Sequence, residues 1–434
     1  MNIREYGLSV ISTISRERFF QYYKELEGNQ WLKKDEVEHL QLIKLKNLLN
    51  YAVENIGFYK ERFRNCNIRD FKSLEDIKQL PVLAKDELKS AGENAVARNR
   101  KKKITKSTSG TAGPPFNFVV DRDFFSLEIA RNLRIFDTTG LKIGEPWVIF
   151  TPLRGKKNSI FSFLTNRLVL DANLITAERT PPCCPSSTDN KLQPDENIIR
   201  QFCERIKRHK PKAIYSYPSS LIALATFIRK WKVTGINFKS IISSGELLTT
   251  KSRMFIEEVF QGEVFNLYGT TEFPTIAEEC REHNGLHIFN DSYVVEFLDD
   301  GAIVLTDLDN YTMPFIRYKT GDRGFLKNGR CNCGRSLPLM EITQGRVSDL
   351  IITPDGKFLR KSFFASVIEK NLEIENFQIL YDEQGKILIN LGVNKSLPEL
   401  RQEYLIKRFK DYTDNSVGVS VKIFLNQSHS GIKT

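Results

Sequence analysis

The sequence predicts an α/β protein with a large N-terminal domain over residues 1–345 and a small α+β C-terminal domain over residues 346–434. Strands and helices alternate between residues 213 and 267 with starts roughly 25 residues apart, which is typical of βαβ units and a parallel sheet. The next segment has an antiparallel, hairpin-like pattern, and short strands begin again after Gly345. These three observations define the two expected domains.

Composition and charge exclude several classes of protein. With 41% hydrophobic and 27% charged residues, the composition is that of an ordinary globular protein. The sequence contains no apolar run of about 18 residues, so we expect no membrane-spanning helix. The N-terminus has no long apolar stretch ahead of a cleavage site, so we expect a cytoplasmic protein. The net charge is +11, but Lys and Arg are scattered and no motif predicts a nucleic-acid partner.

The N-terminal elements are predicted from apolar spacing. Residues 36–63 have apolar positions at helical spacing and predict one amphipathic helix. Residues 70–90 alternate acidic and apolar side chains around Pro81, which we interpret as a linker into short helices. A further helix is expected over residues 123–135, a buried strand at 147–150, and a Pro-, Ser- and Thr-rich loop from about 180 to 194.

Three predicted strands in the centre of the chain, at residues 213–216, 240–243 and 264–267, each run into small or polar residues. Predicted helices over residues 219–230 and 250–260 connect them. Ligands of open α/β sheets bind outside the carboxyl ends of the strands, so the turns that follow should line one site. The residues of interest in these turns are Ser244, Gly245, Glu246, Tyr268, Gly269, Thr271 and Glu272.

The remaining elements are expected to be antiparallel strands and a separate domain. Residues 294–298 and 303–306 flank a Gly-containing turn at 299–302, which predicts a hairpin, and the next turn, at 318–322, ends on Asp322. After an expected hinge at 345–349, the small domain should contain a hairpin around 383–385, a helix over 397–412 and a last strand over 420–425.

A loop rich in Ser, Thr and Gly lies within residues 106–118. Its backbone N–H groups and hydroxyls can converge on an anion, so it predicts a phosphate cradle held by the strand that begins near Phe116. A surface turn of Ser and Gly is the alternative interpretation. The loop does not match the Walker motif, because Pro114 and Pro115 follow its last glycine. The loop residues of interest are Thr108, Ser109, Gly110, Thr111 and Gly113.

Taken together, in this order and at these separations, the motifs resemble the adenylate-forming superfamily of acyl-CoA synthetases and their relatives. The likeness is strongest to the phenylacetate-CoA ligase group and to related proteins of capsular polysaccharide biosynthesis. It covers the chain from Leu45 to Asp349 and, more loosely, the C-terminal domain. The resemblance implies a large domain that binds ATP and the acyl group, and a small C-terminal domain that rotates during the reaction.

The resemblance implies a role for each phosphate-side motif. The loop at residues 108–113 would hold the β- and γ-phosphates of ATP. Thr271 would touch the α-phosphate, and Glu272 would bind Mg²⁺, which suits a hard dication that prefers carboxylate oxygens.

The resemblance also implies a nucleoside site. The turn at residues 244–246 would border the adenine, and Tyr268, followed by Gly269, would lie near the adenine and the acyl pocket. Asp322 would accept hydrogen bonds from the ribose hydroxyls, with Arg346 assisting at the hinge.

The reaction implied is the transfer of AMP from ATP to a small carboxylate, giving acyl-AMP and pyrophosphate, followed by acyl transfer to CoA. An amine or hydroxyl of a sugar or amino compound is the alternative acceptor, and a non-catalytic nucleotide-binding relative is a further alternative. The family places a catalytic lysine directly after a glycine near the C-terminus. Here Lys433 lies one residue further along, so a catalytic role and a solvated tail charge both remain open.

Several cysteines and histidines in the middle region suggest a metal site. Cys-x-Cys-Gly-Arg at residues 331–335 resembles a motif of the phenylacetate-type group, in which some members bind zinc. Tetrahedral zinc takes four nitrogen or sulfur ligands, and reduced thiols without a metal are the alternative. His283 is the alternative to His287 in the expected set, which is Cys280, His287, Cys331 and Cys333.

Overall fold

The computed structural model describes most of the first 344 residues and shorter stretches of the C-terminal part. The described residues are 3–14, 18–99, 103–108, 116–151, 162–163, 165–174, 196–344, 350–352, 358–360, 374–381, 386–393, 403–404, 406–408, 410 and 418–425. Among them, no helix combines the length and apolar character needed to cross a bilayer.

Most of the helices lie in the N-terminal third or between the central strands. The α-helices are α1 Ile3–Ile14, α2 Phe19–Asn29, α3 Lys34–Asn55, α4 Gly57–Arg62, α5 Lys85–Ala91, α6 Arg122–Thr138, α7 Glu196–His209, α8 Pro218–Lys230 and α9 Thr250–Phe260. Short 3-10 helices are Ile68–Asp70, Leu74–Gln79, Gly92–Ala95 and Ala172–Leu174.

The strands continue to the C-terminal part of the chain. They are β1 Ile104–Ser107, β2 Asn117–Val120, β3 Trp147–Thr151, β4 Arg167–Asp171, β5 Ala213–Ser216, β6 Ser240–Ser244, β7 Glu263–Tyr268, β8 Ala277–Glu279, β9 Leu286–Ile288, β10 Tyr293–Phe297, β11 Ala302–Asp307, β12 Tyr318–Lys327, β13 Leu339–Gln344, β14 Leu350–Ile352, β15 Phe358–Arg360, β16 Ile374–Tyr381, β17 Lys386–Val393 and β18 Gly418–Leu425.

Eleven of these strands form one sheet, in the order β10-β11-β12-β13-β9-β8-β7-β6-β5-β3-β4. Strands β4, β3, β5, β6 and β7 pair in parallel, whereas every pairing from β7 to β10 is antiparallel. The predicted change from a parallel to an antiparallel pattern is therefore confirmed, and it falls at the end of β7.

The parallel strands are apolar on both faces. Ile214, Ile241 and Val264 belong to a core cluster with α7, α8 and α9, while the adjacent residues Ala213 and Ile242 belong to a second cluster with the N-terminal helices and α6. Successive side chains of a strand point to opposite faces. A sheet covered by helices on both faces produces this pattern, which explains why these strands read as continuous apolar runs.

One predicted element is corrected by the structure. The single helix expected over residues 36–63 is divided into α3 and α4 at Ile56, which is extended (φ −130°, ψ 114°) and buried. A Cβ on Gly57 would lie 2.2 Å from the side-chain oxygen of Asn94, so the glycine lets α4 approach the 3-10 helix Gly92–Ala95 closely. Tertiary packing therefore interrupts a helical pattern that is continuous in sequence.

The C-terminal part contains a separate sheet of three strands. Strand β17 pairs with β16 in antiparallel fashion and with β18 in parallel, and Ile387, Ile389 and Leu391 are buried. The antiparallel pair agrees with the hairpin predicted around residues 383–385, although the turn itself lies outside the described residues. Most of the helix predicted over 397–412 and the hinge at 345–349 also lie outside them.

Helix α6 carries two arginines whose side chains are fully buried. Arg134 donates to Asp291 at 2.7 Å, and both side chains are 0% exposed. Arg131 donates to the Tyr293 hydroxyl and to Asp309, each at 2.8 Å. These pairs tie α6 to the segment around β10. The sequence reading predicted the helix but not its buried charges.

We expect Asp291→Asn to lower the free energy of unfolding by about 3–5 kcal/mol, because Arg134 would keep a buried charge without a counter-ion. Burial acts to raise the pKa of Asp291, but the charge and hydrogen bonds of Arg134 outweigh it and hold that pKa below its ordinary value. The stabilisation is therefore present above about pH 4 and lost as the pH falls through the lowered pKa.

Urea denaturation at several pH values measures both effects. Glu75→Gln, which removes an exposed partner of Lys78, is the control and should change stability little. A wild type and an Asp291→Asn variant of equal stability at neutral pH would contradict the expected role of the buried pair.

Candidate functional site

The two ends of the Ser/Thr/Gly loop are joined by strand pairing and by hydrogen bonds. Ser107 on β1 is paired with Asn117 on β2. One residue further on, the Thr108 backbone N–H donates to the Phe116 carbonyl at 3.0 Å, and the Phe116 N–H donates to the Thr108 hydroxyl at 2.9 Å. The loop is thus closed at its base, while Ser109, Gly110, Thr111 and Gly113 lie outside the described residues.

The lysine that precedes the loop is bound to α6. The Lys106 ammonium donates to both carboxylate oxygens of Glu128, at 2.6 Å for Oε1, and Glu128 is buried. This ion pair fixes β1, the strand that leads into the loop, against α6.

The turn that follows β7 places Glu272 inside the protein and Thr271 at the surface. The Thr270 N–H donates to the Phe273 carbonyl at 2.8 Å, and the Ile276 N–H donates to the Tyr268 carbonyl at 2.9 Å. The turn leaves Glu272 5% exposed.

Gly269 is required by the same turn. A Cβ at this position would lie 2.1 Å from the Pro274 carbonyl oxygen, so any side chain would force the backbone apart.

Glu272 and Thr108 lie on either side of one ammonium group. Lys85 Nζ is 3.5 Å from Glu272 Oε1 and 3.4 Å from the Thr108 hydroxyl, and it lies 5.6 Å from the centre of the Phe116 ring. The Tyr318 hydroxyl also donates to Glu272 Oε1, at 3.1 Å. The base of the loop and the predicted magnesium ligand are therefore neighbours.

Lys85 is brought to this position by an added strand contact. Leu83 pairs in parallel with Tyr318 at the start of β12, with its N–H 2.7 Å from the Arg317 carbonyl and its carbonyl 2.9 Å from the Lys319 N–H. The linker into short helices expected over residues 70–90 agrees with the 3-10 helix Leu74–Gln79 and with α5, but the sequence assigned no role at the site to Lys85 or Tyr318. No local signal identifies such a bridge, because its two partners are more than 200 residues apart.

A second pair of predicted site residues meets on the same strand. The Tyr268 hydroxyl, at the end of β7, donates to Asp322 Oδ2 on β12 at 3.0 Å. Asp322 is 6% exposed. Tyr318 and Asp322 are four residues apart on β12, and both are buried. Strand β12 therefore contacts Glu272 through Tyr318 and Tyr268 through Asp322.

The turn after β6 contains the three residues that were expected to border the adenine. Ser244 is buried and is paired with Leu267, the residue before Tyr268. Gly245 has φ +80°, and a Cβ there would lie 2.7 Å from the Tyr217 ring. Glu246 accepts hydrogen bonds from the N–H of Ser219 at 2.9 Å and from its hydroxyl at 2.7 Å. Its carboxylate thus lies at the N-terminus of α8, where a negative charge is favourable.

The four residues of the expected metal set are also brought together. The ligand atoms of Cys280, His287, Cys331 and Cys333 all lie within 4.8 Å of one another. The sulfurs of Cys280 and Cys331 are 3.4 Å apart, as are the Cys333 sulfur and His287 Nε2. His283 is not in this group, since its Nε2 lies 2.9 Å from a Glu263 oxygen.

The chemistry of this Cys/His cluster fits zinc. Zinc–sulfur bonds of about 2.3 Å place tetrahedral ligands ~3.8 Å apart, close to the spacing seen here. Burial lowers the pKa of His287 to about 4, so its imidazole is neutral at physiological pH, as a metal ligand must be. His287 Nδ1 lies 3.3 Å from the Leu337 carbonyl, which orients the ring with Nε2 toward the thiols.

No protein-family model matches the chain. A phenylacetate-coenzyme A ligase from Thermus thermophilus is 27% identical over 88% of this chain and 86% of its own length. Protein CapK from Staphylococcus aureus is 21% identical over 72% of this chain and 68% of its own.

The fold has a counterpart among solved structures. A 2-hydroxyisobutyryl-CoA ligase, in complex with 2-HIB-AMP and CoA, superposes with a TM-score of 0.65 at 19% identity, covering 93% of this chain and 89% of that one. The chain is therefore similar in sequence to phenylacetate-coenzyme A ligases and in fold to a CoA ligase. The adenylate-forming fold and the recognition made from sequence motifs are thereby confirmed, while the roles of single residues stay predictions. Arg346 and Lys433 lie outside the described residues.

We expect Gly269→Ala to lower the free energy of unfolding by about 1–3 kcal/mol, because the new methyl group would overlap the backbone of the turn that follows β7 in this adenylate-forming fold. Gly28→Ala in α2 is the matched control, since a Cβ there meets nothing within 4 Å. Thermal denaturation of the two variants compares them. Equal melting temperatures would show that the turn is not closely packed.

Proposed function

We propose that this protein is an AMP-forming ligase that activates a small carboxylate with ATP and then transfers the acyl group to CoA. The observation that supports this most strongly is that β12 contacts both Glu272 and Tyr268, while Lys85 links Glu272 to the base of the Ser/Thr/Gly loop. Glu272, the loop and Asp322 each contribute a group of the type that ATP and its metal require.

The phosphate side of the proposed site is formed by the loop and by the turn after β7. Residues 108–113 would bind the β- and γ-phosphates through backbone N–H groups and hydroxyls. Glu272 would hold Mg²⁺ through its carboxylate oxygens, and this residue fits a hard dication because it is acidic and lies beside the loop. Thr271, exposed on the same turn, would donate to the α-phosphate.

The nucleoside side is formed by the ends of β6 and β7 together with β12. Asp322 would accept hydrogen bonds from the ribose hydroxyls. The hydrogen bond that Tyr268 donates to Asp322 holds this carboxylate in place. The turn at residues 244–246 would border the adenine with its backbone, since the Glu246 side chain is occupied at α8. Arg346 would assist from the hinge between domains 1–345 and 346–434.

The proposed chemistry has two steps. An oxygen of the substrate carboxylate attacks the α-phosphorus of ATP, and the bond from that phosphorus to pyrophosphate breaks. The CoA thiol then attacks the acyl carbonyl, loses its proton, and AMP leaves. Mg²⁺ would neutralise phosphate charge, while the chain would align the reactants and donate hydrogen bonds to the developing charge. Lys433, carried by the C-terminal domain, is the proposed cation of the first step.

The relatives support this choice of reaction. The Thermus relative is named a phenylacetate-coenzyme A ligase, and the solved neighbour contains an acyl-adenylate together with CoA. A carboxylate substrate and CoA are therefore the first compounds to test. An amine or hydroxyl acceptor is the alternative to CoA for the second step.

We expect the wild type to exchange pyrophosphate into ATP when a suitable acid from a panel that includes phenylacetate is present. Glu272→Gln should reduce this exchange about 100- to 1,000-fold, because it removes the carboxylate that would hold Mg²⁺ against the phosphates. Circular dichroism would verify that the variant stays folded. Glu258→Gln, an exposed acid on α9, serves as the control.

Three outcomes separate the alternatives. Exchange with acyl-CoA formation supports the CoA ligase. Exchange without CoA consumption, but with consumption of an added amine or alcohol, indicates the other acceptor class. ATP binding without exchange for any acid indicates a non-catalytic nucleotide-binding relative and contradicts the proposal.

We also propose that the Cys/His cluster binds a structural zinc ion. It supplies four ligands, so it would leave no open coordination position for catalysis. The zinc would join the segment after β8, strand β9 and the loop between β12 and β13.

We expect the Cys331→Ser variant to lose its bound zinc and to melt several degrees below the wild type, because metal binding contributes to folding stability. A strong chelator should lower the melting temperature of the wild type in the same way. Elemental analysis of the purified protein measures the zinc. Cys66→Ser, outside the cluster, should retain the metal. If removing zinc from the wild type left its melting temperature unchanged, the structural role would be ruled out.

A further inference from the structure

The position of Lys85 is unusual for a lysine. It is the first residue of α5, where the positive end of the helix dipole disfavours a cation. Its side chain is 34% exposed and passes close to the Phe116 ring. Ordering a long charged side chain costs conformational entropy, so this placement needs a compensating interaction.

The partners of Lys85 indicate what that interaction is. Glu272 is 5% exposed, and a charged carboxylate is costly to bury unless it is paired. Lys85, 3.5 Å away, supplies the positive partner among the described residues. Its contact with the Thr108 hydroxyl, at 3.4 Å, places the same ammonium at the base of the Ser/Thr/Gly loop.

The loop needs a cation from elsewhere in the chain if it holds a triphosphate. Residues 107–116 contain no lysine or arginine, and Lys106 is bound to Glu128. Backbone N–H groups and hydroxyls donate hydrogen bonds but carry no full positive charge. The β- and γ-phosphates together carry several negative charges, and these interact strongly with an ammonium in a partly buried site.

We propose that Lys85 is a ligand of the β- and γ-phosphates of ATP and that it neutralises Glu272 while the site holds no nucleotide. This assignment rests on the proposed adenylating function. With Mg-ATP bound, Glu272 would hold Mg²⁺ in place of the ammonium, and Lys85 would donate hydrogen bonds to phosphate oxygens. Lys85 therefore belongs to the catalytic residues, because it touches the leaving pyrophosphate.

Calorimetric titration with ATP and with AMP tests this role directly. Lys85→Gln should weaken ATP binding about 10- to 100-fold, because it removes a charge-assisted hydrogen bond to the phosphates. AMP binding should stay unchanged, since AMP lacks the β- and γ-phosphates. Lys85→Arg should recover part of the ATP affinity. Lys89→Gln, one turn further along α5 and exposed, should bind both nucleotides like the wild type.

The two half-reactions provide a second test. Lys85→Gln should lose most acid-dependent pyrophosphate exchange, yet convert supplied acyl-AMP and CoA to acyl-CoA at the rate of the wild type, because pyrophosphate takes no part in that step. Equal loss in both half-reactions, or equal loss of ATP and AMP binding, would indicate a merely structural residue and overturn the assignment.

Melting temperatures of the nucleotide-free protein test whether Lys85 and Glu272 are paired. Lys85→Gln and Glu272→Gln should each lower the melting temperature, and the double variant should lose less than the sum of the two single losses. Additive losses would show that the two groups do not neutralise each other.

Failure of this inference is distinguishable from failure of the proposed function. A wild type that exchanges pyrophosphate while Lys85→Gln exchanges equally well keeps the ligase and rejects the role of Lys85. A wild type without exchange for any acid, whose ATP affinity nevertheless depends on Lys85, rejects the ligase but keeps Lys85 as a phosphate ligand.

Discussion

The change of strand direction at β7 is the constraint on which the candidate site depends. Strand β7 pairs in parallel with β6 and antiparallel with β8. The chain must therefore reverse after Tyr268, within a turn so close that it excludes a Cβ at Gly269. That turn directs Glu272 into the protein. Ligands of α/β sheets bind outside the carboxyl ends of the parallel strands, and the turn after β7 lies at such an end.

Buried charges hold distant segments against this crevice. Arg317, just before β12, donates to Glu296 at 2.8 Å and to the Lys78 carbonyl at 3.0 Å. It therefore fixes the end of the 3-10 helix Leu74–Gln79 a few residues before the Leu83 bridge. Arg131 and Arg134 hold α6, and through Glu128 and Lys106 the same helix holds β1. Such pairs are costly to bury and costly to break, which favours one defined arrangement of these segments.

The Cys/His cluster ties a second set of segments together. Just beyond Cys333, Arg335 Nε donates to the Gln30 side chain at 2.6 Å, and the Ser336 N–H donates to the Gln30 carbonyl at 3.1 Å. The corner between α2 and α3 therefore contacts the loop that supplies two of the four proposed zinc ligands. Cross-links of this kind join the N-terminal helices to the antiparallel half of the sheet.

The sequence by itself determined the elements whose signals are local. The parallel strands with their polar ends and the hairpin at β10 and β11 were predicted, because apolar periodicity and turn residues can be read without knowing the fold. The Cys/His cluster was expected from ligand types and a family-like motif, with His283 left as the alternative to His287. Only the tertiary structure decided the break at Ile56, the buried arginines of α6, the engagement of Glu246 with α8 and the position of Lys85. Each of these depends on partners that are distant in sequence, and the free energy of such contacts is set by packing and burial that no local pattern encodes.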